Sequence, residues 1–159
     1  MRVLIVSDTH GHDSSLMQLL REKGAPDVLI HCGDFEGQAD AIRMAFDCQC
    51  YFVAGNNDWG TELERELEFT LDDYRVFLTH GSAYGVSVGK ERLLEEAESR
   101  GVQIVMFGHT HRPVVEQCGN LTMVNPGSLS YPRQIGRRPS YIEMEIDRDH
   151  QAHYEICYL

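Results

Sequence analysis

The sequence predicts an α/β fold, a four-layer αββα sandwich of two mixed sheets flanked by helices, on three observations. The first third alternates short, β-branched apolar runs with segments of helical periodicity. The later part carries a series of alternating apolar and polar stretches of strand length. No apolar run approaches the ~20 residues that a membrane-spanning helix needs. With 159 residues, 42% of them hydrophobic, the chain has the size of one domain, taken as 1–159, and enough apolar side chains to fill its core.

Val3, Leu4, Ile5 and Val6 run without polar interruption in segment 2–7, as in a central parallel strand covered on both faces. Asp13 or Ser14 can cap a helix whose Leu16, Leu19 and Leu20 form one apolar stripe, and Gly24 and Pro26 stop it. Segment 27–32 restarts the strand pattern. Ala39, Ile42 and Phe46 recur at helical spacing, and the run 51–54 ends at Gly55. This β-α-β-α-β order gathers three strand ends on one edge, the usual ligand edge of open α/β sheets.

Segments 67–71 and 74–79 flank Asp72-Asp73 as a hairpin would. A helix is expected over 88–100, closing before Gly101, with Leu93, Leu94 and Ala97 inward and its glutamates outward. A strand over 102–107 follows. Stretches 114–117, 121–124 and 141–146, with a last one over 153–158, suggest a second, antiparallel sheet packed on the first. Segment 125–140 is rich in Pro, Gly, Ser and Arg and reads as a long loop of the kind that often carries function.

A formal net charge of −11 argues against long nucleic acid as a partner, because counterion-driven binding needs a cationic surface. Small anionic substrates stay open, since bound cations would offset the charge locally. Cys32, Cys48, Cys50, Cys118 and Cys157 are unpatterned and fit reduced thiols in a cytoplasmic protein. No membrane association is expected.

Candidate metal ligands stand at the ends of the apolar runs. Asp8 and His10 are two apart and lead into Gly11, where the backbone can turn sharply. Asp34 follows Gly33 and offers a carboxylate that two cations could share. Asn56, after Gly55, offers a neutral amide oxygen. His80 ends one strand, and His109 and His111 end another, again two apart. Each member is a weak signal alone. Together, oxygen and nitrogen donors at equivalent strand ends point to a two-metal site able to activate water.

The ordered set Asp-x-His, Gly-Asp, Gly-Asn-x-Asp, Gly-His and Gly-His-x-His, over residues 8–111, resembles the calcineurin-like metallophosphoesterase superfamily. Asn125-Pro126-Gly127-Ser128 further resembles its small prokaryotic YfcE-type phosphodiesterase branch. The resemblance implies a four-layer sandwich, with Asp8, His10 and His111 on one metal, Asn56, His80 and His109 on the other, and Asp34 on both. The implied cofactors are two divalent ions, Mn first, with Fe, Ni or Zn also compatible. The implied reaction is hydrolysis by in-line attack of a metal-bridging hydroxide on a small phosphoester.

Many members carry histidine where this chain has Asn57. An amide donates a hydrogen bond but transfers no proton, so Asn57 can position a phosphate without acting as an acid there. This favours small or activated phosphodiesters with good leaving groups. Asp58, which orients that histidine in the histidine-bearing members, is retained, and Asn57, Asp58 and Arg133 are the expected catalytic residues. Arg133, with Arg137 and Arg138, can bring positive charge to the mouth of the site. His12 lies near the cluster outside its motif, His31 is expected in a buried strand, and His150 and His153 at the surface. The competing expectations are a metal-binding scaffold resembling the retromer subunit, and a phosphomonoesterase or nuclease of the same superfamily.

Overall fold

The computed structural model describes residues 1–159. Strand β1 (Arg2–Val6), helix α1 (Ser14–Lys23), β2 (Val28–His31), α2 (Ala39–Ala45) and β3 (Gln49–Phe52) form the predicted crossover series. The hairpin β4 (Glu66–Leu71) and β5 (Tyr74–Thr79) leads to α3 (Glu91–Ser99), β6 (Ile104–Met106), β7 (Pro113–Cys118) and β8 (Leu121–Pro126). The chain closes with β9 (Ser140–Ile146) and β10 (Ala152–Tyr158). No helix is long and apolar enough to cross a membrane, and all five cysteines are free.

Two five-stranded sheets result, ordered β10-β9-β1-β2-β3 and β4-β5-β6-β8-β7. The period-two alternation of strands sorts their side chains into layers. Val3 and Ile5 face the space between the sheets, with Ile30, Leu78, Met106 and Met144. Leu4 and Val6 face the other way, onto Leu16 and Leu19 of α1 and Ile42 of α2. Phe77 and Val105 of the second sheet pack outward on Leu93 and Ala97 of α3. The four expected layers follow, and each fully buried Leu, Ile or Phe contributes roughly 1.5–3 kcal/mol.

The sequence expectation fails in its details of placement. Segments 141–146 and 153–158 were expected in the second sheet, but β9 pairs antiparallel with β1, and β10 with β9, so both complete the first sheet. The second sheet is not antiparallel throughout, because β6 runs parallel to both β5 and β8. Alternation fixes which faces a strand buries but not which neighbour it takes. Helix α3 begins three residues later than expected, since Val88 lies in a turn, 98% exposed. Asp13 occupies the N-cap of α1, yet its side chain makes no capping hydrogen bond.

The carboxyl ends of β1, β2 and β3 and those of β5, β6 and β8 open on one edge, where the predicted ligands gather.

Candidate metal centre

The backbone at this edge is bent in an unusual way. Asp8, His10, Asp34, His109 and His111 all have positive φ, between 47° and 67°. For a residue with a Cβ this left-handed region costs roughly 1–2 kcal/mol. Five of the seven predicted ligands carry that strain, which marks positions the surrounding structure over-determines. Asp8 and His10 therefore converge through two left-handed residues, and not through the shared face of a regular strand.

Close packing holds these bends. A Cβ at Gly55 would fall 2.0 Å from Asp34 Oδ1, and one at Gly108 would fall 2.1 Å from Ser7 Oγ. Glycine is required at both points. Ser128 Oγ donates to the Asp8 carbonyl (2.8 Å) and Ser130 Oγ to that of Thr9 (2.7 Å). Asn125 Nδ2 donates to the Gly108 carbonyl (2.8 Å). The Asn125-Pro126-Gly127-Ser128 segment is thus a strut that fastens the loop after β6 to the loop after β1.

Three imidazoles are anchored through Nδ1 with Nε2 turned inward. His111 Nδ1 donates to the Tyr131 carbonyl (2.6 Å), His80 Nδ1 to that of Cys32 (2.7 Å), and His10 Nδ1 to Glu36 Oε1 (2.7 Å). When neutral, each ring then presents a lone pair on Nε2. The Nε2 atoms of His10 and His111 are 3.3 Å apart. Asp8 Oδ1 lies 3.0 Å from His111 Nε2 and 3.7 Å from His10 Nε2, fully buried and without a hydrogen-bond partner. Mutual spacings of this size are those of donors about 2.1 Å from one shared ion.

Asp34 joins this half of the site to the other. Its Oδ2 is 3.8 Å from His10 Nε2 and 3.4 Å from His80 Nε2. Asn56 Oδ1 is 3.1 Å from His80 Nε2. Asp8, His10 and His111 form one compact donor group, and Asp8, Asp34 and His80 a second. His109 packs edge-on against His80, with ring centroids 5.1 Å apart, outside both compact groups.

The electrostatics express the same demand for positive charge. Burial alone would raise the Asp8 carboxyl, but the His10 and His111 rings that face it hold it well below the usual carboxylate range. The Asp8 carboxylate pushes His10 up to about 9, against burial. Burial opposes protonation of His80 too, and the Asp34 carboxylate overcomes it, raising the ring. Protons are drawn to the place where a divalent cation would sit, and oxygen and nitrogen donors without thiolate suit Mn, Fe, Ni or Zn alike.

The remaining predicted residues fall in different places. Asn57 grips Asp34 with both nitrogens, its N–H to Oδ1 (2.9 Å) and its Nδ2 to Oδ2 (2.7 Å). One amide hydrogen is left for a ligand. Asp58, expected among the catalytic residues, accepts the backbone N–H groups of Asp34, Phe35, Glu36 and Gly55 at 2.7–2.8 Å. Its carboxylate is committed to folding two loops together, so its geometry is that of a positioning residue. Arg133 and Arg137 line a shallow pocket of about 560 Å³ with His10, Asn57, His111 and Tyr131. Arg138 does not join them; its guanidinium binds the Leu159 carbonyl and stacks on Tyr158. Glu36 and the Tyr131 carbonyl were not foreseen, and only the nearness of Glu36 to Asp34 in sequence hinted at the first.

Residues 1–149 match the calcineurin-like phosphoesterase superfamily domain. The chain belongs to the calcineurin-like phosphoesterase superfamily. This phosphoesterase is 38% identical to the phosphodiesterase YfcE of Escherichia coli, over 94% of its own length and 89% of that protein. It is 32% identical to the probable metallophosphoesterase YsnB of Bacillus subtilis, over 94% and 86% of the two chains. A solved predicted phosphoesterase of Streptococcus pneumoniae superposes with a TM-score of 0.81 at 25% identity, covering 99% and 97%. Vps29 of Entamoeba histolytica, solved with zinc, shares the fold at 20% identity and a TM-score of 0.78, covering 99% of each chain.

Proposed function

We propose that this chain is a metal-dependent phosphodiesterase acting on small or activated phosphodiesters. Asp8, His10 and His111 would hold one divalent ion, Asn56, His80 and His109 the other, and Asp34 both. The observation that carries this reading is the placement of Asp34 Oδ2 between His10 Nε2 and His80 Nε2, beside the unpartnered Asp8 Oδ1. The similarity to two proteins named phosphodiesterases, YfcE of E. coli at 38% identity and one of Methanocaldococcus jannaschii at 30%, supports the substrate class.

A bound cation pair supplies Lewis acidity, making water more acidic and offsetting charge on phosphoryl oxygens. The chain's own groups do the positioning. Nδ1 anchors on Glu36, Cys32 and Tyr131 fix each ring so that no reorientation is needed on binding. Asn57 fixes both oxygens of Asp34 and, lining the pocket, keeps one amide N–H free for a ligand. Arg133 and Arg137 at the pocket wall offer forked donors to a phosphate. With an amide at position 57, the departing oxygen leaves without a proton from that residue, which favours acidic leaving groups.

The test joins metal analysis to an aryl phosphodiester assay on the wild type and His111→Ala. Two divalent ions per wild-type chain are expected, with activity that falls about 100-fold or more in the variant. Unchanged activity in His111→Ala would overturn the assignment. Alkyl monoesters turned over much faster than aryl diesters with the same metal would overturn the substrate class.

A further inference from the structure

Trp59 is the only tryptophan of the chain, and it stands 86% exposed two residues from Asn57. An indole standing in water leaves the flat π-face of one of the largest apolar side chains open to any ligand that reaches it. Hydrogen bonds tie down the loop that carries it. Asp58, immediately before it, is 5% exposed and binds four backbone N–H groups, while the Trp59 N–H donates to the Asn57 carbonyl (3.1 Å).

The indole lines two adjoining hollows. One, of about 500 Å³, is shared with Glu36, Gly37 and Asn57. Glu36 and Asn57 are also walls of the pocket that holds His10 and His111, so this hollow adjoins the candidate metal centre. The other hollow, of about 610 Å³, shares Gly37 and Trp59 with the first and adds Asp40, Arg43, Thr61 and Glu62. Those four supply hydrogen-bond donors and acceptors, and the volume lies within the range of small-ligand sites, ~300–1,000 Å³.

We infer that Trp59 is the stacking platform for a nucleobase, so that the diesters taken by this site carry a nucleoside on one ester arm. The inference rests on the phosphodiesterase reading and narrows its substrate class. Every base has a π-face that an indole can stack upon, and polar side chains around the ring suit the heteroatom edge of a base better than a plain aryl group.

Three esters that release the same p-nitrophenolate separate the possibilities: thymidine 5′-p-nitrophenyl phosphate, methyl p-nitrophenyl phosphate and bis(p-nitrophenyl) phosphate. In Trp59→Ala the ratio of kcat/KM for the thymidine ester to that for the methyl ester is expected to fall about fivefold to 150-fold, the range of one base–aromatic stack. The loss is expected mainly in KM, and Trp59→Phe should recover part of it. Because Trp59 is the only tryptophan, its fluorescence reports binding directly, and adenosine 5′-monophosphate should quench it saturably where methyl phosphate does not.

An unchanged ratio in Trp59→Ala overturns the platform and leaves the phosphodiesterase reading standing. A ratio that falls more for bis(p-nitrophenyl) phosphate than for the thymidine ester overturns the nucleoside assignment in favour of aryl esters. If no ester is hydrolysed, the phosphodiesterase reading fails, and the quenching alone decides the platform.

Discussion

The molecule has two clusters of the same side chains, and they behave differently. Asp8, His10 and His111 meet at the ligand edge, buried or half-buried, whereas Asp72, Asp73 and His150 meet across two turns at the opposite edge, all exposed. Both satisfy a donor count for a metal ion. At the exposed cluster His150 Nδ1 bonds Asp72 Oδ2 (2.5 Å), and that hydrogen bond raises the ring's pKa. Solvent screens the pair, and no atom there is buried without a partner. In the buried cluster one carboxylate oxygen has no hydrogen bond and two imidazole nitrogens face each other. The comparison teaches that burial without a partner, and not the residue list, distinguishes a cation site from a surface ion pair.

The sharpest break between the two would come from their aspartates. Asp8→Ala is expected to lower aryl diester turnover about 100-fold to 1,000-fold and to reduce bound metal. Asp72→Ala should leave both as they were. Equal behaviour of the two variants in metal analysis and kinetics would erase the distinction.

A second contrast sets Asp58 against Asp147, since each carboxylate gathers turn N–H groups, one buried and the other at the surface. Asp58→Ala leaves several buried donors unmatched and should cost about 3 kcal/mol in urea unfolding. Asp147→Ala should move the midpoint far less. Next comes Glu36→Ala, which removes the anchor of His10 Nδ1. A loss of about tenfold to 100-fold in metal affinity is expected by titration calorimetry.

The smallest effect concerns pH. Burial pushes His31 down to about 3, and it stacks on Phe35 with ring centroids 3.6 Å apart. An unfolded chain takes up this proton near ~6.5, so the unfolded state binds a proton that the folded ring refuses. Stability from this group is therefore full above about pH 6.5 and declines as pH falls toward about 3. Urea midpoints at neutral and mildly acid pH should differ less in His31→Phe than in the wild type.

Much of this was legible in the residues. Runs such as Val3 to Val6 fixed buried strands because two-sided burial leaves no polar position, and strand order then brought Asp8, Asp34 and Asn56 to one edge. The sheet joined by β9 and β10 was not legible, since antiparallel alternation serves either neighbour equally well. Neither were the left-handed bends at Asp8, His10 and Asp34, since Asp and His adopt that region more readily than most residues but do so at only a minority of positions. Backbone carbonyls that anchor His80 and His111 are equally silent in sequence. Asp58 shows the converse: a residue type read as chemistry that serves the backbone instead.

The central claim is that two cations sit on either side of Asp34. Anomalous diffraction from crystals equilibrated with Mn²⁺ tests it most directly. Two peaks are expected, one among Asp8, His10 and His111 and one beside His80 and Asn56, with Asp34 Oδ2 between them. A single peak, or one at Asp72, Asp73 and His150, would contradict it.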